Sequence, residues 1–524
     1  MSSSSRGTIA PWMVTRAAVA FIAVLALSGA TQTPAPDRLV AIFVVDGLRP
    51  DSINESDTPT IARLRREGAE YTNSHSIFPT VTRLNAATLV TGTYPMHHGI
   101  VANSMFVAGV NERAPFDTGD YTQLLKLETP IGRAITTDTL AEILQRNNRR
   151  LVTVSSGSTG NGYLLNPAGR QGAGVVIHGL FERGVIAAYP KDVSDVILKG
   201  YGAPPPDPDD LGQMLWTDNV LREYVLPELR PDVVIDWLGP LDSSQHAHGV
   251  GSPEAKDALR RIDESIGRTI LKIEALGRLR GTDIIITSDH GFAHHNEGVD
   301  LVGRLIAAGL KADRASTDLV VASQSQSLLF YLPPARVEPL VRFLQREPSV
   351  DVIFTRGGSG GQGSVSGTFS FDLIGANHES RAANVIATLA WTSDNNPHGI
   401  PGAQTVNGTT VGPLSGAASG HGGLNPWVVR NTFVAWGQDI QGPRRLDTPM
   451  SLADITPSVL ALFGIKTPSG PGRGRVLSEL ITRDGSAAQV SRRTMETRVG
   501  AYGSMIVISS VSGHDYVDTA SRAR

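Results

Sequence analysis

Six side chains of this sequence are of the types that hold a divalent cation through oxygen or nitrogen: Asp46, Asp242, His246, Asp289, His290 and His421. Asp46 follows the apolar run Leu39 to Val45. Asp289 and His290 follow Ile284 to Ser288, and Asp242 and His246, four residues apart, lie just past Val233 to Leu238. Such runs read as buried strands, and open α/β sheets bind their ligands beyond the carboxyl ends of the strands. His421 adds an imidazole from the stretch Gly420 to Gly423. Carboxylates and imidazoles in this number suit two zinc-like ions, which points to metal-assisted hydrolysis. The sequence has no cysteine, so every ligand must be oxygen or nitrogen and no disulfide supports the fold.

A candidate nucleophile lies in Phe78-Pro79-Thr80-Val81-Thr82-Arg83-Leu84-Asn85, which runs from a loop into a helix and puts Thr82 at the helix N-terminus. Free backbone N–H groups and the helix dipole favour an anion there. A nearby cation would ionise the hydroxyl as it ionises bound water. A plain N-cap threonine is the simpler reading of that position alone, and the ligand set elsewhere is what favours a nucleophile. Among the other histidines, His97 and His98 read as structural. His248, His294 and His295 flank ligand motifs and fit either a supporting hydrogen bond or ordinary surface. The glycine run Gly157 to Gly162 lacks the Lys of a P-loop.

An alternation of strands and helices has to position these groups. Strands are expected at 39–45, 151–155, 232–238 and 283–288, separated by helical patterns at 60–68, 137–147, 211–226 and 254–276; a strand at 431–436 and a helix at 451–463 follow a long gap. The fold class is therefore α/β, a doubly wound, mostly parallel sheet with helices on both faces and an inserted cap domain. The expected boundaries are a signal peptide at 1–30, a catalytic core at 37–302 and 419–484, the cap at 303–418, and a C-terminal extension at 485–524 that is polar apart from a strand-like 504–509. A cap is favoured over a loose surface excursion because His421 follows it directly.

With 524 residues, 40% hydrophobic and 19% charged, the chain has the composition of an ordinary globular protein. A net charge of −3 provides no basic field for a polyanion, so no nucleic-acid binding groove is expected. Arg6 and Arg16, the apolar run Ala17 to Leu27 and the exit Ser28-Gly29-Ala30 have the form of a secretory signal, with an uncleaved anchor as the alternative. No other stretch reaches the roughly 18 apolar residues of a membrane span. The mature chain is expected to be secreted or periplasmic and without a transmembrane domain.

On these motifs and their order the chain resembles the alkaline phosphatase superfamily and, within it, the nucleotide pyrophosphatase/phosphodiesterase branch, over about Leu39 to Leu301 and Gly416 to Ile465. The matching segments are Val44-Val45-Asp46-Gly47, Pro79 to Thr82 with Asn85, Thr91-Gly92-Thr93-Tyr94-Pro95, Asp242 to His246, Ser288-Asp289-His290-Gly291 and Gly420-His421-Gly422. The resemblance implies two Zn2+ per chain, one on Asp242, His246 and His421 and the other on Asp46, Asp289 and His290, with Thr82 facing both. It also implies a covalent phospho-threonine, and a non-bridging oxygen held by Asn103 and the backbone N–H of Arg83. The expected function is a secreted two-zinc phosphoric ester hydrolase of the phosphodiesterase/nucleotide pyrophosphatase type, acting on a small phosphorylated substrate.

Two departures from the resemblance bear on the substrate. Threonine-type phosphomonoesterases of the superfamily carry Ser-x-Lys-x-Arg, whereas Ser158-Thr159-Gly160-Asn161-Gly162 has glycine at both cationic places, which favours a singly charged diester. Branch diesterases usually have an aromatic residue after the nucleophile, and here it is Arg83, a candidate substrate cation; Tyr163 is a candidate for stacking a base. The alternatives are a phosphomonoesterase, a phosphonate or sulfate-ester hydrolase and, outside enzymes, an inactive metal-binding recognition protein. A complete ligand set with a nucleophile argues against the last.

Overall fold

Every residue of the strand Leu39–Val45 is buried, and its side chains enter two cores in alternation: Val40, Ile42 and Val44 one, Leu39, Ala41, Phe43 and Val45 the other. A strand apolar on both faces needs a sheet covered on both sides. The computed structural model describes residues 37–523 apart from 207, 209, 409, 410, 412–417 and 482–488, so the expected signal peptide lies outside the described residues. Its central sheet comprises β1 (Leu39–Val45), β2 (Ala69–Tyr71), β3 (Leu151–Ser155), β4 (Val175–Glu182), β5 (Ile186–Tyr189), β6 (Val233–Leu238), β7 (Thr282–Thr287), β8 (Phe433–Gly437) and β9 (Arg444–Leu446). Their order is β9-β2-β8-β7-β1-β6-β3-β4-β5. The run from β7 to β4 is parallel, while β8 and β5 lie antiparallel to their inner neighbours.

Helices close both faces. Helix Pro253–Ala275, capped by Ser252, turns Ala255, Leu259, Ile262, Ile266, Ile270 and Ile273 into the core that holds Phe43, a spacing of three and four that keeps them on one stripe. Ala86, Ala87, Leu89 and Val90 of helix Thr82–Thr91 enter the opposite core.

Register then places the ligands. β1 pairs Val44 with Thr287 of β7, so two residues further on Asp46 and Asp289 emerge side by side. β1 also pairs Val45 with Leu238 of β6, and helix Pro240–His248, which follows β6, carries Asp242 and His246 one turn apart.

Residues 303–418 contain a five-stranded sheet with Val320–Ser323, Ser327–Tyr331, Val385–Leu389, Val350–Thr355 and Phe369–Ser370 in spatial order. Leu328, Phe330, Leu340, Leu344 and Val350 cluster there with Val299, Leu301 and Tyr502, while Leu329, Phe354, Phe369 and Ile386 of the same sheet join the core that holds Ile42. In a separate four-stranded sheet, Ala293 pairs with Gly420, which returns the chain beside Asp289 and His290. The C-terminal residues form a meander, Val490–Val499, Tyr502–Val511 and His514–Arg522, longer than the strand expected from the sequence. It reaches both neighbouring regions: Asp518 Oδ1 lies 2.8 Å from His75 Nε2, and the Tyr502 hydroxyl donates to the Asp351 carbonyl at 2.9 Å. Among the described residues no helix is long and apolar enough to cross a membrane.

Candidate active site

Asp46 leaves β1 with Oδ2 accepting from Trp237 Nε1 at 2.9 Å, and Asp289 leaves β7 with Oδ1 accepting from the Gly47 N–H at 3.1 Å. Their other oxygens, Asp46 Oδ1 and Asp289 Oδ2, are buried with no protein donor, as is Asp242 Oδ1. Buried carboxylate oxygens left in this state are costly unless a cation meets them. The imidazoles close the ring: His290 Nε2 lies 3.6 Å from Asp46 Oδ1 and 3.1 Å from Asp289 Oδ2. His246 and His421 each bring Nε2 to 3.5 Å from Asp242 Oδ1 and stand 3.2 Å from each other.

All three rings are oriented from behind. Nδ1 of His246, His290 and His421 faces the carbonyls of Ser419, Gly291 and Thr80 at 2.9, 3.2 and 2.9 Å. A carbonyl only accepts, so Nδ1 carries the proton and the Nε2 lone pair turns to the centre, the arrangement of a metal-ligating histidine. Orphan oxygens and inward lone pairs therefore fit a cation pair. Among the described residues, two groups of side chains are close enough to share an ion: Asp242, His246 and His421, and Asp46, Asp242 and His290. Asp242 stands in both, where the resemblance gives it to one; Asp289, which the resemblance puts in the second, is outside that group, with Oδ2 3.1 Å from His290 Nε2. Burial, then the Asp289 and Asp242 carboxylates, push the Asp46 carboxyl well above the usual range. Burial, with His290 and His246 next to it, holds His421 well below the usual imidazole range and keeps it neutral.

Thr82 is the first residue of its helix and Val81 is the N-cap, so the Thr82 hydroxyl makes no capping bond; its Oγ1 lies 3.3 Å from His290 Nε2. Thr80 has a different task. Its buried hydroxyl donates to the Gly423 carbonyl at 2.9 Å and accepts from the Gly422 N–H at 3.0 Å, tying the loop before Thr82 to the loop of His421. Phe292 presses its ring against His246 and His421 at centroid distances of 5.0 and 5.2 Å. The supporting roles of Trp237, Thr80 and Phe292 are not legible in the sequence, because an indole, a hydroxyl and a phenyl do not announce them, although Thr80 stands in the motif that holds Thr82. The other available signals were that Trp237 lies in β6 and that Phe292 follows His290 by two residues.

The expected substrate residues divide. Asn103 and Arg83 are brought to the site: Asn103 Oδ1 accepts the Arg83 N–H at 2.9 Å, so that donor is engaged and the amide Nδ2 is the group left for a substrate oxygen. The Arg83 guanidinium leans to the rim, where Nη2 is 3.4 Å from Oδ1 of the exposed Asp117. Tyr163 is a correction to the sequence reading. It is fully buried and its hydroxyl bonds Glu128, so the ring offers no face to a base. His98 is buried as well, with Nε2 3.1 Å from Thr88 Oγ1 and Nδ1 accepting from the Ile100 N–H at 3.2 Å, a structural role. The two glycines at the monoesterase cation places have no room for side chains. A Cβ on Gly160 would lie 2.0 Å from the Thr118 carbonyl oxygen, and one on Gly162 would lie 2.6 Å from the His178 ring.

The doubly wound sheet thus gathers carboxylates and imidazoles at its strand ends, with a hydroxyl heading a helix beside them. Residues 40–351, well over half of the chain, match the family model of type I phosphodiesterase/nucleotide pyrophosphatase, and the chain belongs to that family. It is similar to the bis(5'-adenosyl)-triphosphatase of Pongo abelii, 26% identical over 300 residues, 56% of this chain and 55% of that protein. It is also similar to ectonucleotide pyrophosphatase/phosphodiesterase family member 1 of Rattus norvegicus, 25% identical over 253 residues, 48% of this chain and 23% of that protein. The matches therefore span about half of the first relative's length and under a quarter of the second's. Among solved structures, an inactive variant of murine ectonucleotide pyrophosphatase/phosphodiesterase 5 in complex with AMP aligns with a TM-score of 0.60 at 15% identity, covering 85% of this chain and all of that one. At that identity the likeness is one of fold.

Proposed function

We propose that the protein is an exported two-zinc hydrolase of phosphodiesters or phosphoanhydrides that works through Thr82. The observation that carries this reading is the Thr82 hydroxyl, free of capping duty, 3.3 Å from His290 Nε2 and beside carboxylate oxygens that lack donors. Asp46, Asp242, His246, Asp289, His290 and His421 would hold the ions, which when bound stabilise charge on the attacking and leaving oxygens and lower the hydroxyl pKa. The helix N-terminus orients Thr82, and Asn103 Nδ2 donates to a non-bridging phosphoryl oxygen. Thr82 Oγ1 bonds phosphorus as the bond to the leaving oxygen breaks, and water then cleaves the phospho-threonine. Residues 303–418 serve as a cap over this end of the sheet. Export is supported by the charged, apolar and small-residue order of residues 1–30.

For the substrate, the crowding at Gly160 and Gly162 removes the cations that a doubly charged monoester uses, which supports a singly charged phosphoryl centre. The names of the relatives point to nucleotides as the class, and Arg83 at the rim suits an anionic leaving group. The test is kcat/KM on a diester and a monoester with the same aryl leaving group, with zinc measured per chain. Preference for the diester with two zinc ions supports the proposal. Preference for the monoester, lost in Arg83→Ala, would make this a phosphomonoesterase that uses Arg83 as its cation.

A further inference from the structure

We infer that Gln324, from the segment 303–418, is a positioning residue that holds Asn103 in place for its contact with the phosphoryl group; the inference rests on the role proposed above for Asn103. Gln324 sits on the turn between the strands Val320–Ser323 and Ser327–Tyr331 and is buried. Its Oε1 accepts from the backbone N–H groups of Asn103 at 3.0 Å and Ser104 at 3.2 Å, and its Nε2 donates to the Ser104 carbonyl at 2.7 Å. A second bond from Nε2, 3.4 Å long, runs to the Ala322 carbonyl. All the hydrogen-bonding capacity of this amide is thus spent on backbone, and none is left to touch a substrate.

Asn103 is gripped from the other side too. Thr118 donates to its carbonyl through both N–H and hydroxyl, at 2.9 and 2.7 Å. With its backbone held at both ends and Oδ1 on the Arg83 N–H, the Asn103 side chain has one direction left for Nδ2. The turn that carries Gln324 is itself anchored to the metal-ligand loop: Ser327 Oγ donates to the Gly422 carbonyl at 2.6 Å. Gly422, at φ +109, packs so closely that a Cβ there would lie 2.3 Å from the Gln324 carbonyl oxygen. One turn of the inserted segment therefore joins the oxygen-binding loop to the loop of His421. This is the kind of outer support that keeps a transition-state donor within a fraction of an ångström of its target.

A glutamine presents an acceptor and a donor side by side, matching the N–H and C=O of Ser104. Glutamate keeps only the acceptor, and methionine keeps the length with neither. The experiment measures kcat, KM, zinc content and Tm of the full chain for Gln324→Met, Gln324→Glu, Asn103→Ala and the double variant Asn103→Ala/Gln324→Met, on an aryl diester. Gln324→Met is expected to lower kcat by roughly tenfold with KM changed less than about twofold, and Gln324→Glu to recover part of that loss. In the Asn103→Ala background the same Gln324→Met change is expected to cost less than about twofold, since residues that act as a unit are not additive. Equal cost in both backgrounds, or a fall in kcat that tracks lost zinc or lowered Tm, would overturn the inference while leaving Asn103 in its role. Unchanged turnover in Asn103→Ala alone would overturn the role of Asn103 and this inference with it.

Discussion

Asp46, Asp289 and His290 stand at the ends of two adjacent parallel strands, and their side chains are 5%, 1% and 0% exposed; Asp242, His246 and His421 come from a helix and from the chain returning out of the inserted segment, and are 19%, 35% and 7% exposed. Strand register sets the two carboxylates of the first group, because β1 pairs Val44 with Thr287 of β7 and each carboxylate follows two residues further on. Helix start, loop return and the Ala293–Gly420 pairing must all agree to set the second. The sheet thus supplies a sealed half and the helix and returning loop a more open one; the rings of His290 and His421 stack where they meet, and the proposed nucleophile Thr82 lies 3.3 Å from His290.

The largest effect expected is at that dividing point. Thr82→Ala should lower kcat by roughly four orders of magnitude or more with two zinc ions still bound and Tm little changed. Retention of activity in this variant would break the picture, since Thr80 is fully engaged in hydrogen bonds and offers no substitute. Next comes the sealed half itself. Chelation of the zinc-loaded enzyme should lower Tm by several degrees, roughly what a few kcal/mol of lost binding implies for a large domain. Asp46→Asn should narrow that gap by removing one of the crowded buried carboxylates, whereas His246→Ala in the open half should cost zinc with a smaller change in Tm. Equal Tm changes for the two variants would show that the halves do not differ in this way.

The pH response sharpens the same contrast. Burial and neighbouring carboxylates raise the Asp46 pKa, so an ion entering there competes with a proton more strongly than at an ordinary carboxylate. Zinc affinity of His246→Ala, which keeps the sealed half, should therefore rise with pH and release a proton, measured by calorimetry in buffers of different ionisation enthalpy. His421 adds no such proton near neutrality, since its pKa is depressed. The smallest effect is at the open rim. Arg83→Ala should lower kcat/KM on a substrate with an anionic leaving group by about fivefold more than on a singly charged aryl diester, as expected for one partly solvated cation.

Asp46, Asp242, His246, Asp289 and His290 stood out as candidate ligands in the sequence because each lies at or just past an apolar run, where an acidic side chain has no bland explanation; His421, in the stretch Gly420 to Gly423, has no such run before it. The parallel middle of the sheet was legible for the same reason. Its edges were not: the strand 186–189 is only four residues long, and His178 and Gly179 interrupt the apolar pattern of 175–182. Nor could spacing reveal that Asp242 stands close enough to serve two ions, since that depends on where a helix points. Tyr163 shows the opposite failure. A tyrosine near a glycine-rich helix start looks available for stacking, and only packing shows that the ring lies in the core with its hydroxyl on Glu128. Gln324 was unreadable because it acts on backbone far away in the sequence, and an amide side chain marks no chemistry of its own.

The pairing of Ala293 with Gly420 also sets a timetable for biogenesis. A chain emerging from the ribosome has the carboxylates of β1 and β7 by the time residue 290 is made, yet His421 follows only after the whole intervening segment has been synthesised and folded back. Closures between such distant residues come late in folding. The candidate ligand set is thus complete only once this late closure has formed, wherever the polypeptide finishes folding.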